Sequence, residues 1–322
     1  MNLSASRRLD YNRMQRRAFL ASLPAFGLLA SCSSKPKIRL ALNWKPDPQF
    51  GGFYAAPWEE RKLDVEILPG GAGTPTVQMI GAGSAEFGIV SADELVVARS
   101  RGNDVVALFA TFQDSPQGLM VHAERNLASI EEVFEEGTVA LQKGLPYARL
   151  LEKQFGFEHV KIVPSPGGDI SAFMADPLFA QQCFIMSEPL QARHAGAKVI
   201  VFPVADTGYN PYTTVLATSG KYALDNAGII ENVVAAVREG WRSYVKDAKP
   251  TNDKMHKLNP SMDDATFAEV ANEQKPFIEN DDTTAAGIGS MTRERWEKLI
   301  GQLHGLGDIP EAISPDDCFK IV

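Results

Sequence analysis

Seven short segments carry side chains that can hold a small polar ligand. Asn43-Trp44-Lys45-Pro46-Asp47-Pro48 combines a flat indole for stacking with an amide that both donates and accepts. Gly70–Gly73 with Thr74 can turn backbone N–H groups toward a carboxylate or phosphate, or serve only as a tight turn. Ser91-Ala92-Asp93-Glu94 has the spacing of a helix start, so Ser91 is equally an N-cap. Gln142-Lys143-Gly144, Ser165 with Gly167, and Ser187-Glu188-Pro189 form a second group. Glu188 can accept from a ligand amino group or simply favour a helix N-terminus. Tyr209, Asn210 and Tyr212 suit a pocket wall or a hinge, and Trp44 itself could pack as ordinary core.

The residue types needed for catalysis are not arranged for it. The five histidines are scattered, with no His-Glu-x-x-His pairing, no Gly-x-Ser-x-Gly elbow and no Walker lysine after a glycine loop. Gly71-Ala72-Gly73 matches only a fragment of a dinucleotide fingerprint. Neither a metal nor a cofactor is expected.

These segments must be positioned by α/β units. Strands are expected at Ile38–Leu42, Val65–Leu68, Phe87–Val90, Val105–Phe112 and Gly118–Val121, with helices at Gly52–Lys62, Thr76–Gly81 and from Ser91 to Arg99. The alternation restarts after His122, with strands at Thr138–Leu141, Val160–Val163, Cys183–Met186 and Val199–Phe202 and helices between them. Tyr209–Thr218 reads as a strand again. Beyond it the chain is helical, with Ile230, Val233, Val234, Val237, Trp241, Tyr244 and Val245 at helical spacing. The fold class is therefore α/β, with a mostly parallel sheet in each of two lobes. The expected lobes are 37–121 plus 209–322, which includes the helical tail, and 122–208. A chain that crosses twice between lobes makes a hinged cleft where a ligand collects.

The 322 residues are 44% apolar and 22% charged, with a net charge of −8. Residues 1–31 hold five arginines and one aspartate, so they carry +4 and the remainder −12. Such a balance disfavours nucleic acid as a partner. The basic start, the apolar run Ala18–Ala30 and the small residues after it read as an export leader. Leu29-Ala30-Ser31-Cys32 resembles a bacterial lipobox, which implies lipidation of Cys32 as the sole membrane attachment and 32–36 as a tether. Arg16-Arg17 resembles a twin-arginine signal. Cys183 and Cys318 remain and are taken as unpaired.

Leu42-Asn43-Trp44-Lys45-Pro46-Asp47, Gly52-Phe53-Tyr54-Ala55-Ala56, Gly83-Ser84-Ala85-Glu86-Phe87-Gly88-Ile89, Asn103-Asp104-Val105-Val106-Ala107-Leu108 and Ser187-Glu188-Pro189, in this order, resemble the SsuA/THI5-like solute-binding proteins of ABC importers, grouped with thiamine-pyrimidine synthase. The resemblance implies a type II periplasmic-binding-protein fold: two doubly wound lobes joined by a two-strand hinge, with a C-terminal helical tail. It also implies a monomer that hands its ligand to a permease driven by a separate ATPase. The implied ligand is a thiamine-precursor pyrimidine, formylaminopyrimidine or hydroxymethylpyrimidine; sulfonate, taurine, nitrate or riboflavin is the alternative. Asn43, Trp44 and Glu188 match contact positions of the pyrimidine binders. The full set of candidate ligand-binding residues is Asn43, Trp44, Phe50, Tyr54, Gly71, Gly73, Thr74, Ser91, Asp93, Gln113, Glu188, Tyr209 and Tyr212. The pattern departs from the family at Pro48-Gln49-Phe50-Gly51, where a histidine is usual, and at Met186, where an aromatic is usual. The pyrimidine-synthesising branch consumes an active-site histidine and uses a cysteine cluster; Phe50 and the isolated Cys183 here imply a protein that is not an enzyme.

Overall fold

The computed structural model describes residues 37–322; the leader, Cys32 and the tether lie outside the described residues. The first half of the chain begins with β1 (Lys37–Ala41), α1 (Gly51–Ala55), β2 (Asp64–Leu68), α2 (Thr76–Gly81), β3 (Phe87–Val90), α3 (Ala92–Ser100) and β4 (Val106–Phe112). Next come β5 (Gln117–His122), β6 (Thr138–Leu141), α4 (Pro146–Phe155), β7 (Lys161–Pro164), α5 (Ser171–Ala175), β8 (Phe179–Phe184), α6 (Glu188–His194) and β9 (Val199–Pro203). The chain then returns through β10 (Thr213–Thr218) and ends in helices: α7 (Gly220–Asp225), α8 (Ala227–Lys246), α9 (Lys249–Leu258), α10 (Asp264–Glu273), α11 (Lys275–Ile278), α12 (Asp281–Ala286) and α13 (Arg293–Leu306).

Two five-stranded mixed sheets result, ordered β2-β1-β3-β10-β4 and β7-β6-β8-β5-β9. In the first, β1 runs parallel to β2 and β3 while β10 lies antiparallel between β3 and β4. In the second, β6 is parallel to β7 and β8 while β5 is antiparallel to β8 and β9. The chain therefore crosses between sheets at 113–116 and again at 204–212. Asn210 ties the two crossings together: its Oδ1 accepts from the Ser115 N–H at 2.7 Å and its Nδ2 donates to Asp114 at 2.8 Å.

Four expectations need correction. β5 belongs to the second sheet, so the crossing precedes it instead of following residue 121; strand partners are chosen at long range, and no local pattern shows them. Residues 209–212 do not extend β10, because Gly208 turns left-handed at φ +87° and Pro211 has no N–H for a ladder. α1 stops at Ala55, not Lys62, because Pro57 forces Ala56 into an extended conformation (φ −62°, ψ 137°). β8 starts at Phe179, four residues before the expected Cys183, since Gln181 is fully buried and donates to the Asp169 carbonyl at 3.1 Å. A buried glutamine held through its Nε2 hides the strand from a hydrophobic pattern.

The long α8 buries the stripe that its periodicity announced, from Ile230 to Tyr244. It packs on α1 so closely that Gly52 has no room for a Cβ, which would stand 2.2 Å from the Trp241 ring. α13 touches both α3 and α4, so the tail spans from the first lobe to the second. Cys183 and Cys318 are free and buried. Among the described residues, no helix is long and apolar enough to cross a membrane.

Candidate functional site

A cleft of about 540 Å³ opens between the two sheets. Its walls are loops that leave the carboxyl ends of strands, where ligands sit in open α/β sheets. The first lobe contributes the loop after β1 (Asn43, Trp44, Asp47, Gln49), Gly73 and Thr74 after β2, and Ser91, Asp93 and Glu94 after β3. Facing them are Gln142 and Lys143 after β6, Ser165, Gly167 and Gly168 after β7, and Ser187 and Glu188 after β8.

Trp44 is half-buried, its carbonyl held by the Gly70 N–H at 3.0 Å. Its indole lies against the Gly167–Gly168 turn of the opposite lobe. A Cβ on Gly168 would stand 3.6 Å from Glu188 Oε1 and 3.8 Å from Trp44 Cζ2, so the two glycines let indole and carboxylate converge on one corner. Glu188 Oε2 accepts from the Phe184 N–H at 2.8 Å, and burial raises its pKa.

Asp47 faces this corner from the first lobe. It is buried, and it accepts from both the backbone and the side-chain amide of Gln49 at 3.0 Å. Burial pushes its pKa up to about 7 against the pull of those bonds, and Glu188 adds to the rise. On the floor, Asp93 accepts from Tyr209 Oη at 2.9 Å and also from Ser91 Oγ. The Ser91 N–H donates to Glu94 Oε2 at 3.2 Å, so this residue starts α3 and faces the cleft at once. Glu94 is raised by burial and then by Asp93.

Eight of the thirteen candidates line the cleft: Asn43, Trp44, Gly73, Thr74, Ser91, Asp93, Glu188 and Tyr209. Five do not. Phe50 is fully buried beneath the first sheet, in the core shared with α8. Tyr54 lies behind the loop, where burial and then Asp47 push its hydroxyl up to about 12. The Gly71 N–H is occupied by Thr74 Oγ1 at 2.8 Å, as a tight turn requires. Gln113 spends its side-chain amide on the Ala110 and Ser290 carbonyls, each at 3.1 Å. Tyr212 is hinge core, its hydroxyl accepting from the Thr292 N–H at 3.0 Å and its ring 3.9 Å below the Arg295 guanidinium.

Gln117, Tyr147, Gln182 and Gln274 line the cleft without having been singled out in the sequence, and Asp47 lines it although it was only part of the quoted loop and not a candidate. Asp47 had a visible signal, its place between two prolines after β1; Gln274 had none, because it arrives from the helical tail. Three buried atoms of lining residues lack a hydrogen-bond partner: Asn43 Oδ1, Thr213 Oγ1 and Gln274 Oε1. Among the described residues, no three His, Cys, Asp or Glu side chains converge to hold a metal ion.

Residues 47–250 match the profile of the family described as NMT1/THI5 like. The chain belongs to the NMT1/THI5-like family. Like this chain in sequence is the formylaminopyrimidine-binding protein of Halalkalibacterium halodurans, 21% identical over 94% of this chain and 98% of that one. A shorter match, 24% identical over 33% of this chain and 34% of the other, is to 4-amino-5-hydroxymethyl-2-methylpyrimidine phosphate synthase of Legionella pneumophila. In structure, this NMT1/THI5-like chain resembles the periplasmic aliphatic sulphonate binding protein SsuA of Escherichia coli. The TM-score is 0.68 at 16% identity, covering 90% of this chain and 94% of that one. The alkanesulfonate-binding protein SsuA of Xanthomonas axonopodis pv. citri, bound to MOPS, gives 0.64 at 10% identity over 90% and 100%. The architecture is that of periplasmic binding proteins, with two doubly wound lobes joined by two chain crossings.

Proposed function

We propose that this protein is the substrate-binding component of an ABC importer and that it captures a thiamine-precursor pyrimidine by closing its lobes. One observation carries the choice of ligand. Four carboxylates, Asp47, Asp93, Glu94 and Glu188, line the cleft against the single lysine Lys143 among the described residues. Such a wall offers acceptors to the N–H donors of an amino-substituted ring and only one cationic side chain to a sulfonate or nitrate. Trp44 supplies the stacking face, and a relative named for formylaminopyrimidine binding matches almost end to end.

Closure is a rotation of the two sheets about residues 113–116 and 204–212, and the closed form is what the permease reads. No histidine lines the cleft among the described residues, which supports binding over synthesis of the pyrimidine. The leader and the Leu29-Ala30-Ser31-Cys32 sequence support an exported protein anchored by lipid at Cys32.

Thermal unfolding of the purified chain with a panel of ligands tests this reading. A ligand at 100 times its Kd adds about 2.7 kcal/mol of stability. Formylaminopyrimidine or hydroxymethylpyrimidine is expected to raise the melting temperature. A shift with an alkylsulfonate, nitrate or riboflavin and none with a pyrimidine would overturn the assignment.

A further inference from the structure

The helical tail reaches the cleft from beyond residue 250, where the family match ends. Val270 on α10 and Gln274, between α10 and α11, both line it. Gln274 has no exposed surface. Its backbone is fully engaged, the N–H donating to the Val270 carbonyl at 3.1 Å and the carbonyl accepting from the Phe277 N–H at 3.0 Å.

The side chain is held at one end only. Nε2 donates to the Pro48 carbonyl at 2.9 Å, in the loop that carries Asp47. That bond sets which way the amide faces, so the buried Oε1 is an acceptor of known orientation with no partner. A buried acceptor left empty beside a ligand cleft is costly unless the ligand fills it. Asp47 and Glu188 bring further acceptors to the same cleft, and the preferred partner is again a donor.

We propose that Gln274 is a specificity-determining residue: its fixed carbonyl oxygen accepts a hydrogen from an amino substituent on the ligand ring. The tail thereby selects amino-bearing heterocycles over otherwise identical rings without the amino group. This rests on the pyrimidine reading of the cleft. A purely mechanical role competes with it, because Asn259 of the tail fastens the same loop through the Pro46 carbonyl at 3.0 Å.

Calorimetric titration with 4-amino-5-hydroxymethyl-2-methylpyrimidine and with the same ring lacking the 4-amino group separates these roles. The wild type is expected to prefer the amino compound by about tenfold, the scale of one net hydrogen bond plus an acceptor left unfilled. Gln274→Met should bring that preference to within about twofold while binding of the amino-free ring is kept. Asn259→Ala removes the neighbouring bond from the tail to the same loop and leaves Gln274 in place, so it should retain the preference. If Gln274→Met does not melt cooperatively, Gln274→Ala is read in its place. Loss of preference in Asn259→Ala to the same degree, or an unchanged preference in Gln274→Met, would overturn the role while leaving the pyrimidine reading intact. A wild type that binds neither ring would overturn both.

Discussion

The indole of Trp44 in the first lobe packs against Gly167 in the second, so tightly that a Cβ on that glycine would stand 3.3 Å from Trp44 Cη2. Gly167 also sits in the left-handed region at φ +65°, where a side chain adds strain. Gly167→Ala should therefore act twice. Strain of about 1–2 kcal/mol lowers the melting temperature by a few degrees, and the methyl group wedges the lobes apart where they meet. Ligand affinity measured by titration should fall at least about tenfold; an unchanged affinity would mean that the lobes need not approach here to hold ligand.

Trp44→Ala should leave folding intact, because the indole is half-buried and its main anchor is the carbonyl bond to Gly70. Stacking of an aromatic side chain on a base-like ring is worth about 1–3 kcal/mol. Pyrimidine affinity should accordingly drop by about 5- to 150-fold in titration. Equal affinity in the variant would assign the indole to packing between the lobes.

Asp47 makes stability depend on pH. An unfolded aspartate titrates near 3.8 and the native one near 7, so between these values the native state holds more protons than the unfolded state. Stability of the ligand-free protein should fall as pH rises from about 4 to 7 and then level off. Tyr54 and Tyr244 face the same carboxyl and stay neutral across this range, while Glu188 adds to the penalty. Asp47→Asn should flatten the curve in thermal melts at a series of pH values. A slope that persists in the variant would place the titrating group elsewhere.

His194 at the end of α6 meets Glu269 on α10, Nε2 to Oε2 at 2.7 Å, joining the second lobe to the tail. Both side chains are about two-fifths exposed, so solvent screens the pair, and its worth is about 0.2–1 kcal/mol. Glu269→Gln should weaken ligand binding by about twofold at low salt and by less at 0.5 M salt. A loss above tenfold would make this contact a principal closure latch.

The arrangement of strands and helices could be read from the chain because it is written in short-range patterns. α2, β3 and β6 fall at the residues their hydrophobic runs indicate, and α8 buries the stripe its spacing describes. The loops bearing Trp44, Ser91, Asp93 and Glu188 were visible for the same reason, since a loop after a strand in an α/β unit has a predictable place. Tertiary structure alone decided the rest. Phe50 looked like a ligand contact and is core, while Gln274, which no local pattern singled out, stands in the cleft. β5 joined the far sheet, and a buried Gln181 lies within β8. Secondary structure follows from the dihedral preferences and polarity of near neighbours. Which face is covered, which amide is left with an empty acceptor and which carboxylate is stripped of water depend on segments more than a hundred residues apart meeting in space.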